Sequence, residues 1–390
     1  MKYMGNYTII QKNARILPNW NLELQESDSL WTKDVEIAGD PLPGGSFGPC
    51  GIPKGAEILE VTRIQLADGV YLTYLPARKF KTSLLSAQFV TPLQEETASA
   101  WALLPAVLRR GTVSAPDMGQ LSARLDRLYG ARIDYTVRKK GENQCVGFVA
   151  SLIDDSFAPG GEHLLEPVTE LLGELICDPV TERGRFVPAY FDSEKTNLLD
   201  AIRSLINDKR DYADSRLLQE MCAGEPYGIS RLGSEATAEK LQLHKLYALY
   251  GQLIASARLE LFYSGSAELE RVEQAMRSAF ATLPRENVGE IILAKPHPAR
   301  EEVHREEESM DVTQGKLGMG FSCGSDDTAA LLMGNTLFGG SSNSRLFLNV
   351  REKLSLCYYA SSVYHRQKGI ITMSSGIEFD NFQKAYDEIL

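Results

Sequence analysis

The stretch "NTLFGGSSNSRLFLNVREKLSLCYYASS", residues 335–362, carries the most specific pattern of this 390-residue chain. A helix is predicted to end at the pair Gly339-Gly340, because glycine is the commonest residue just past a helix C-terminus. A second helix follows and carries Arg351 in its last turn, and a strand containing Tyr358 comes next. The stretch therefore predicts two consecutive helices that lead into a strand.

The same order of elements occurs in two parts of the chain: a strand, two helices, a pair of strands and a further helix. In the later part these elements are predicted at 316–323, 328–340, 344–354, 357–376 and from 380 onward. In the earlier part the strand is predicted at 83–91, followed by a first helix, and the other elements at 118–130, 131–151 and 163–176. The recurrence predicts an α+β chain built from two copies of one unit.

The turns of the two strand pairs align, because a shift of 228 residues places Gly141 on Gly369. The second copy ends early, at Leu390, and is therefore expected to be truncated relative to the first. A hairpin is predicted around Asp68-Gly69. Apolar positions also predict one long helix face over 191–222.

Four segments are expected from these patterns and from the composition. Residues 1–60 form an N-terminal extension with a Gly- and Pro-rich linker, 61–286 the first unit, 287–301 a linker and 302–390 the second unit. The charge run 297–308 is predicted to be a solvated linker. A zinc site there, using His297 and His304, is the less favoured alternative, because no third ligand has a suitable spacing.

The composition excludes several classes of protein. The net charge of −11 argues against nucleic-acid binding, which requires a basic surface. The six cysteines are scattered, without the spacing of a zinc site, which favours a reducing compartment. No apolar run reaches membrane-spanning length, and the first ten residues lack the apolar core of a signal peptide. A cytoplasmic protein without a membrane partner is expected.

The stretch 335–362 resembles the second-domain signature of insulinase-like (pitrilysin-clan, M16) metallopeptidases. The first unit agrees with this resemblance through "RRGT" at 109–112 and "FDSEKTNLLDAI" at 191–202. Phrases such as "LDRLYGARIDY" and "EPYGISRLG" are similar to the YmfF-type bacterial subunits of that family. The resemblance implies two homologous α/β-sandwich units of the LuxS/MPP-like metallohydrolase fold.

The resemblance also locates the zinc motif of active members, His-x-x-Glu-His, on the helix that precedes Gly111-Thr112. One-turn spacing places both histidines on one helix face as zinc ligands, and the glutamate acts as base for the metal-bound water. Counting back from Gly111-Thr112 places Ala102, Pro105 and Ala106 at these three positions.

The third zinc ligand of the family is a glutamate seven residues beyond the position of Glu194. This chain has Ala201 there, so Glu194 is only a remnant of the site. The first histidine of the chain is His163, so a small shift of the alignment cannot restore the motif. The resemblance therefore implies no catalytic residue, metal ligand or cofactor in this chain, and it places the zinc in a homologous partner subunit.

Five residues of the second unit are expected to bind substrate. By the resemblance, Arg351 and Tyr358 hold the backbone of a peptide against the zinc site of the other subunit. A guanidinium and a phenol can bond peptide carbonyls without reading side chains. Gly339, Gly340 and Ser341 lie where a related inactive subunit has a glycine-rich contact loop. The structural alternative is a salt bridge at a helix end for Arg351 and a half-buried core tyrosine for Tyr358.

These observations predict a non-catalytic, substrate-binding subunit of a heterodimeric zinc peptidase that processes peptides or flexible leader segments. The alternative is a peptide-binding or scaffold protein without any proteolytic role. A neighbouring gene for a zinc-motif paralogue would favour the first function over the second.

A third hypothesis is a serine hydrolase that uses Ser322. The stretch "GFSCG" at 320–324 matches the nucleophile-elbow pattern G-x-S-x-G. Only one histidine, His365, follows it, and the alternation of the strand continues through Ser322. This hypothesis is therefore the weakest of the three.

Overall fold

The structure, a computed structural model, describes residues 4–14, 61–299 and 302–390. The described residues form helices and mainly antiparallel sheets, so the chain belongs to the α+β class. The strands are β1 (Met4–Ala14), β2 (Thr62–Ala67), β3 (Val70–Pro76), β4 (Thr82–Pro92), β5 (Arg132–Lys140), β6 (Asn143–Ile153), β7 (Thr181–Glu182), β8 (Arg185–Phe186), β9 (Arg258–Gly265), β10 (His304–Asp311), β11 (Gly315–Cys323), β12 (Cys357–His365) and β13 (Ile370–Ile377). The α-helices are α1 (Glu95–Leu108), α2 (Met118–Arg127), α3 (Leu165–Cys177), α4 (Pro188–Ser204), α5 (Lys209–Met221), α6 (Glu235–Glu239), α7 (Leu243–Ser256), α8 (Leu269–Ala279), α9 (Thr328–Phe338) and α10 (Phe382–Ile389), with a π-helix at Leu346–Lys353.

The first sheet has six strands in the order β2-β3-β9-β4-β6-β5. The hairpin predicted around Asp68-Gly69 is confirmed, with Gly69 at a φ of +62°. Buried and more accessible residues alternate along β4, as expected for a strand with one face on the core. Helix α1 packs against β5 and β6, and α3 packs against β6. Strand β5 is an edge of this sheet.

The second sheet has five strands in the order β10-β1-β11-β13-β12. Strand β1 lies between β10, to which it is antiparallel, and β11, to which it is parallel. Helix α5 packs against β11, β1 and β13, and α9 and the π-helix pack against β12. The predicted Gly- and Pro-rich linker, 38–55, lies outside the described residues.

The prediction of one long helix over 191–222 is wrong. Helix α4 ends at Ser204, and α5 begins only at Lys209. The side chain of Asp208 accepts hydrogen bonds from the backbone N–H groups of Arg210 and Asp211, and so caps a new helix. The apolar periodicity continues across the break, because both helices bury a face.

The turns of the two edge hairpins meet through a buried ion pair. Lys368, in the turn between β12 and β13, lies 2.5 Å from Oε1 of Glu142, in the turn between β5 and β6. Lys368 also pairs with Glu225, and its carbonyl accepts a 2.8 Å hydrogen bond from the backbone N–H of His297. The prediction of a solvated linker over 297–308 is wrong, because His297 is only 3% exposed and His304 begins β10.

Candidate functional site

Helix α1 buries all three positions at which the family's zinc motif would lie. Ala102, Pro105 and Ala106 are part of a continuous buried segment of this helix. Their side chains are hydrocarbon and offer no lone pair to a metal. Pro105 lacks the N–H that would bond the carbonyl of Trp101, but its own carbonyl accepts a 3.0 Å bond from the N–H of Arg109. The helix is therefore a packing element at this point.

The carboxylate of Glu194, on α4, is held by a guanidinium. Arg110 Nε lies 2.5 Å from Glu194 Oε1, and Arg110 Nη2 donates a 2.7 Å hydrogen bond to Ser193 Oγ. The guanidinium also lies 5.6 Å from the centre of the Tyr190 ring. Ala201, two turns further along α4, is exposed. An arginine cation thus neutralises the one carboxylate that the site retains.

These residues do not fit a catalytic zinc ion. The three ligand positions hold alanine, the position of the base holds proline, and the remaining carboxylate is already engaged by Arg110. Zinc requires nitrogen, sulfur or oxygen ligands, and none of the replaced positions supplies one.

Tyr135 belongs to the same region, and the sequence analysis did not identify it. It lies on the edge strand β5 and is 46% exposed. Burial, and then the Glu194 carboxylate, raise the pKa of its phenol. A phenol therefore lies on the strand that ends the sheet of described strands, within electrostatic reach of the degenerate site. Alternating strand patterns give no sign of such a position, because every second residue of an edge strand is exposed.

The structure places Arg351 on the π-helix and Tyr358 on β12, both at the surface. Tyr358 is 68% exposed, so the alternative of a core tyrosine is wrong for it; the more buried ring is that of its neighbour Tyr359. The Arg351 guanidinium lies 4.6 Å from the centre of the Phe347 ring and 3.6 Å from Glu352 Oε1. Both side chains are accessible, and their role in substrate binding stays a prediction.

Gly339, Gly340 and Ser341 close the C-terminal end of α9. The backbone N–H groups of both glycines bond the carbonyl of Asn335, and Ser341 Oγ donates to the carbonyl of Thr336. A Cβ atom on Gly339 would lie only 2.6 Å from both Leu346 and Ser362. These contacts give the two glycines a packing role, independently of any substrate.

The geometry does not support a serine hydrolase. Ser322 is buried inside β11 and donates to the carbonyl of Pro298, so it does not lie at a strand-to-helix turn. Both ring nitrogens of His365 are engaged, at 3.0 Å with Tyr227 and at 2.9 Å with Thr372. The zinc site considered for His297 and His304 is not formed among the described residues, because His297 is buried beside Glu225 whereas His304 begins β10 and pairs with Glu306.

The fold and this site define a protein with the scaffold of a zinc peptidase but without the ligands of its zinc. A family model described as "Peptidase M16 inactive domain" matches residues 240–390. The "Probable inactive metalloprotease YmfF" of Bacillus subtilis (strain 168) is 35% identical over 323 residues, which cover 81% of this chain and 75% of that protein. The chain belongs to the M16 peptidase family. The relative's name agrees with the missing zinc ligands.

Solved structures have the same fold. A conserved protein from Enterococcus faecalis V583 superimposes with a TM-score of 0.75 at 28% identity, covering 84% of this chain and 78% of that one. A peptidase M16 inactive domain from Pseudomonas fluorescens gives a TM-score of 0.65 at 18% identity, with 85% and 78% covered. Among the described residues, no helix is both long and apolar enough to cross a membrane.

Proposed function

We propose that the chain is a non-catalytic, peptide-binding subunit that pairs with a homologous zinc-bearing peptidase subunit. One observation carries this proposal: the zinc-motif positions on α1 are filled by buried alanine and proline, while Arg351 and Tyr358 remain accessible at the surface. The partner would supply the zinc and the base. This chain would supply groups that hold the peptide backbone, and part of the wall of an enclosed chamber.

The outer edge of β5, next to which the described residues contribute no further strand, supports binding of an extended peptide. The carbonyls of Ile133 and Val137 on this strand accept hydrogen bonds from Arg109 and Arg231, which a peptide would displace where it pairs with them. An edge strand presents unpaired N–H and C=O groups, to which an extended peptide adds as a further strand. Strand β5 contacts α1 and carries the exposed Tyr135. A peptide on this edge would pass the degenerate site. Suitable substrates are peptides or flexible leader segments, because an unfolded segment offers unpaired backbone N–H and C=O groups for the new ladder.

The proposal includes an architecture of two homologous α/β-sandwich units. Both sheets end in an edge hairpin in the same relative order, β4-β6-β5 in one and β11-β13-β12 in the other. The turns of these hairpins carry Gly141 and Gly369 at φ values of +57° and +61°. A cytoplasmic site of action is part of the proposal, supported by the absence of disulfides among the described cysteines.

The test is cleavage of a pool of unstructured peptides by this chain, by a zinc-motif paralogue from the same genome, and by both together. Each reaction is run with and without a chelator. We expect cleavage only by the mixture, and only without the chelator. Arg351→Ala and Tyr358→Phe in this chain should each lower kcat/KM of the mixture. The matched controls are Arg78→Ala and Tyr129→Phe, which alter other exposed side chains.

Three outcomes would contradict the proposal in different ways. Cleavage by this chain alone would mean that another active site exists. Peptide binding without cleavage in any combination would favour the scaffold function. Cleavage by the mixture that Arg351→Ala and Tyr358→Phe leave unchanged would remove these two residues from the substrate site.

A further inference from the structure

A second group of potential metal ligands lies between the two sheets, away from the degenerate zinc site. Donor atoms of Cys222, Glu225 and His297 all lie within 4.8 Å of one another. We propose that these three side chains form a structural site for a divalent metal ion with the preferences of Zn²⁺. The site shares no residue with the degenerate zinc site, and the proposal does not depend on the proposed function.

The local fold fixes two of the ligands next to each other. Cys222 follows α5 directly, and its N–H bonds the carbonyl of Leu218. The chain then turns through Gly224, at a φ of +82°, so that the N–H of Glu225 bonds the carbonyl of Cys222 at 3.0 Å. A Cβ atom on Gly228 would lie 2.5 Å from the same carbonyl oxygen. This tight turn places a thiol and a carboxylate side by side.

The third ligand comes from the segment that connects the two units. The backbone N–H of His297 bonds the carbonyl of Lys368 at 2.8 Å, and its Nδ1 lies 2.6 Å from Glu225 Oε1. Cys222 is 0% exposed and His297 3%. A metal ion here would therefore be enclosed on the side of Cys222 and His297 and accessible on the side of Glu225, whose side chain is 25% exposed, and it would join α5 to the connecting segment. This position indicates a structural role and no catalytic one.

The donor set matches the chemistry of zinc. A thiolate, an imidazole nitrogen and a carboxylate oxygen are its usual ligands in proteins, at about 2.0–2.3 Å from the metal. A tetrahedron of that size has ligand atoms about 3.3–3.8 Å apart, so on binding a metal the 2.6 Å contact between His297 and Glu225 would open and the wider spacings within the cluster would close. The thiolate and the carboxylate together carry two negative charges, which balance a divalent cation. The softness of the thiolate selects zinc over magnesium or calcium.

Two lysines face this cluster. Lys368 holds the other oxygen of Glu225 and so orients the carboxylate, as outer-shell partners of metal ligands do. Lys139 donates a 2.7 Å bond to the carbonyl of Tyr227 and interacts electrostatically with Cys222. The two lysines also lower the affinity for a cation by repulsion, so we expect moderate rather than extreme affinity.

The experiment uses the full chain, freed of metal by a chelator and then titrated with Co²⁺ and with Zn²⁺. We expect one equivalent of Co²⁺ to bind and to give the near-ultraviolet absorption of a cobalt–thiolate bond, which Zn²⁺ then displaces. This readout on the unaltered chain requires no variant to fold. Cys222→Ser and His297→Gln should lower the affinity by at least roughly 10–100-fold, the loss that follows removal of even an outer-shell partner. The matched control is Cys145→Ser, which removes a thiol from β6 and should leave the titration unchanged.

Two results would overturn the assignment. The first is a folded wild-type chain that gives no cobalt–thiolate absorption. The three side chains would then be held by hydrogen bonds and ion pairs alone, without a metal. The second is a signal that survives in both Cys222→Ser and His297→Gln, which would place the metal elsewhere. Neither result bears on peptide binding, so failure of this inference and failure of the proposed function are distinguishable.

Discussion

Arg110 Nε lies 2.5 Å from Oε1 of Glu194, beside the three positions that have lost the zinc ligands. The guanidinium of Arg110 supplies the positive charge that this carboxylate requires. The carboxylate is largely buried, with 11% of its side chain exposed. Glu194 is therefore retained as half of an ion pair that joins the end of α1 to α4, and its presence does not indicate residual catalysis.

Replacing Arg110 by methionine should destabilise the fold by about 1–3 kcal/mol, because it leaves a buried carboxylate without its charged donor. The double variant Arg110→Met/Glu194→Leu should recover part of this loss, since both charges are then removed. Urea unfolding measures both values. The control is Arg78→Met, whose guanidinium is 77% exposed in its pair with Glu268 and should cost less than about 1 kcal/mol. Equal losses for Arg78→Met and Arg110→Met would contradict a structural role of the Arg110–Glu194 pair.

The buried Lys368 should matter more to stability than any exposed lysine. Burial alone would lower its pKa, but hydrogen bonds to Glu142 and Glu225 outweigh burial and raise it. The stabilisation is fully present below the unfolded lysine pKa and is lost as the pH rises through the folded value. Lys368→Met should cost about 3–5 kcal/mol at neutral pH, because the buried carboxylate of Glu142 and the partly buried one of Glu225 lose their cation. Unfolding by urea gives this value, and Lys384→Met, on the exposed face of α10, should be nearly neutral.

Local patterns in the sequence predicted most of the elements. The hairpins around Gly69, Gly141 and Gly369 were predictable because each turn needs a positive φ that glycine adopts without strain. The break before α5 was missed because the cap of Asp208 lies within an unbroken apolar periodicity. Helix periodicity reports which face is buried, and two consecutive helices can bury similar faces.

Local sequence patterns could not predict the side-chain clusters that join distant parts of the chain. Glu142 and Lys368 are 226 residues apart in the chain and meet only because two hairpin turns face each other. Cys222 and His297 likewise lie on different segments, so no ligand spacing connects them. The degenerate zinc site was predictable in contrast, because its helix positions are fixed by a local motif. The pairing of Glu194 with Arg110 was not predictable, because α1 and α4 approach each other only in the folded chain.

Acid should destabilise the fold through His365. Burial, and then the nearby Lys139 cation, lower its pKa to about 4. The unfolded histidine titrates near 6.5, so its stabilising contribution is present above pH 6.5 and is lost as the pH falls toward 4. Wild type should therefore lose about 2–3 kcal/mol more than His365→Gln between pH 7 and pH 4.5. Urea unfolding of both proteins at these two pH values measures the difference, and parallel losses would show that His365 does not contribute.

Two glycines of the α9 region, Gly339 just past its end and Gly334 inside it, distinguish a packing role of Gly339 from a role in substrate binding. Gly339→Ala places a methyl group 2.6 Å from Leu346 and Ser362, which should cost about 1–3 kcal/mol as overpacking. Gly334, inside the same helix, has no heavy atom within 4 Å of a built Cβ, so Gly334→Ala should stabilise the helix by about 0.5–1 kcal/mol. Thermal or urea unfolding of the pair tests the packing role directly. If Gly339→Ala instead folds with unchanged stability but weakens peptide cleavage by the mixture of subunits, the glycine contacts substrate, as the family resemblance implies.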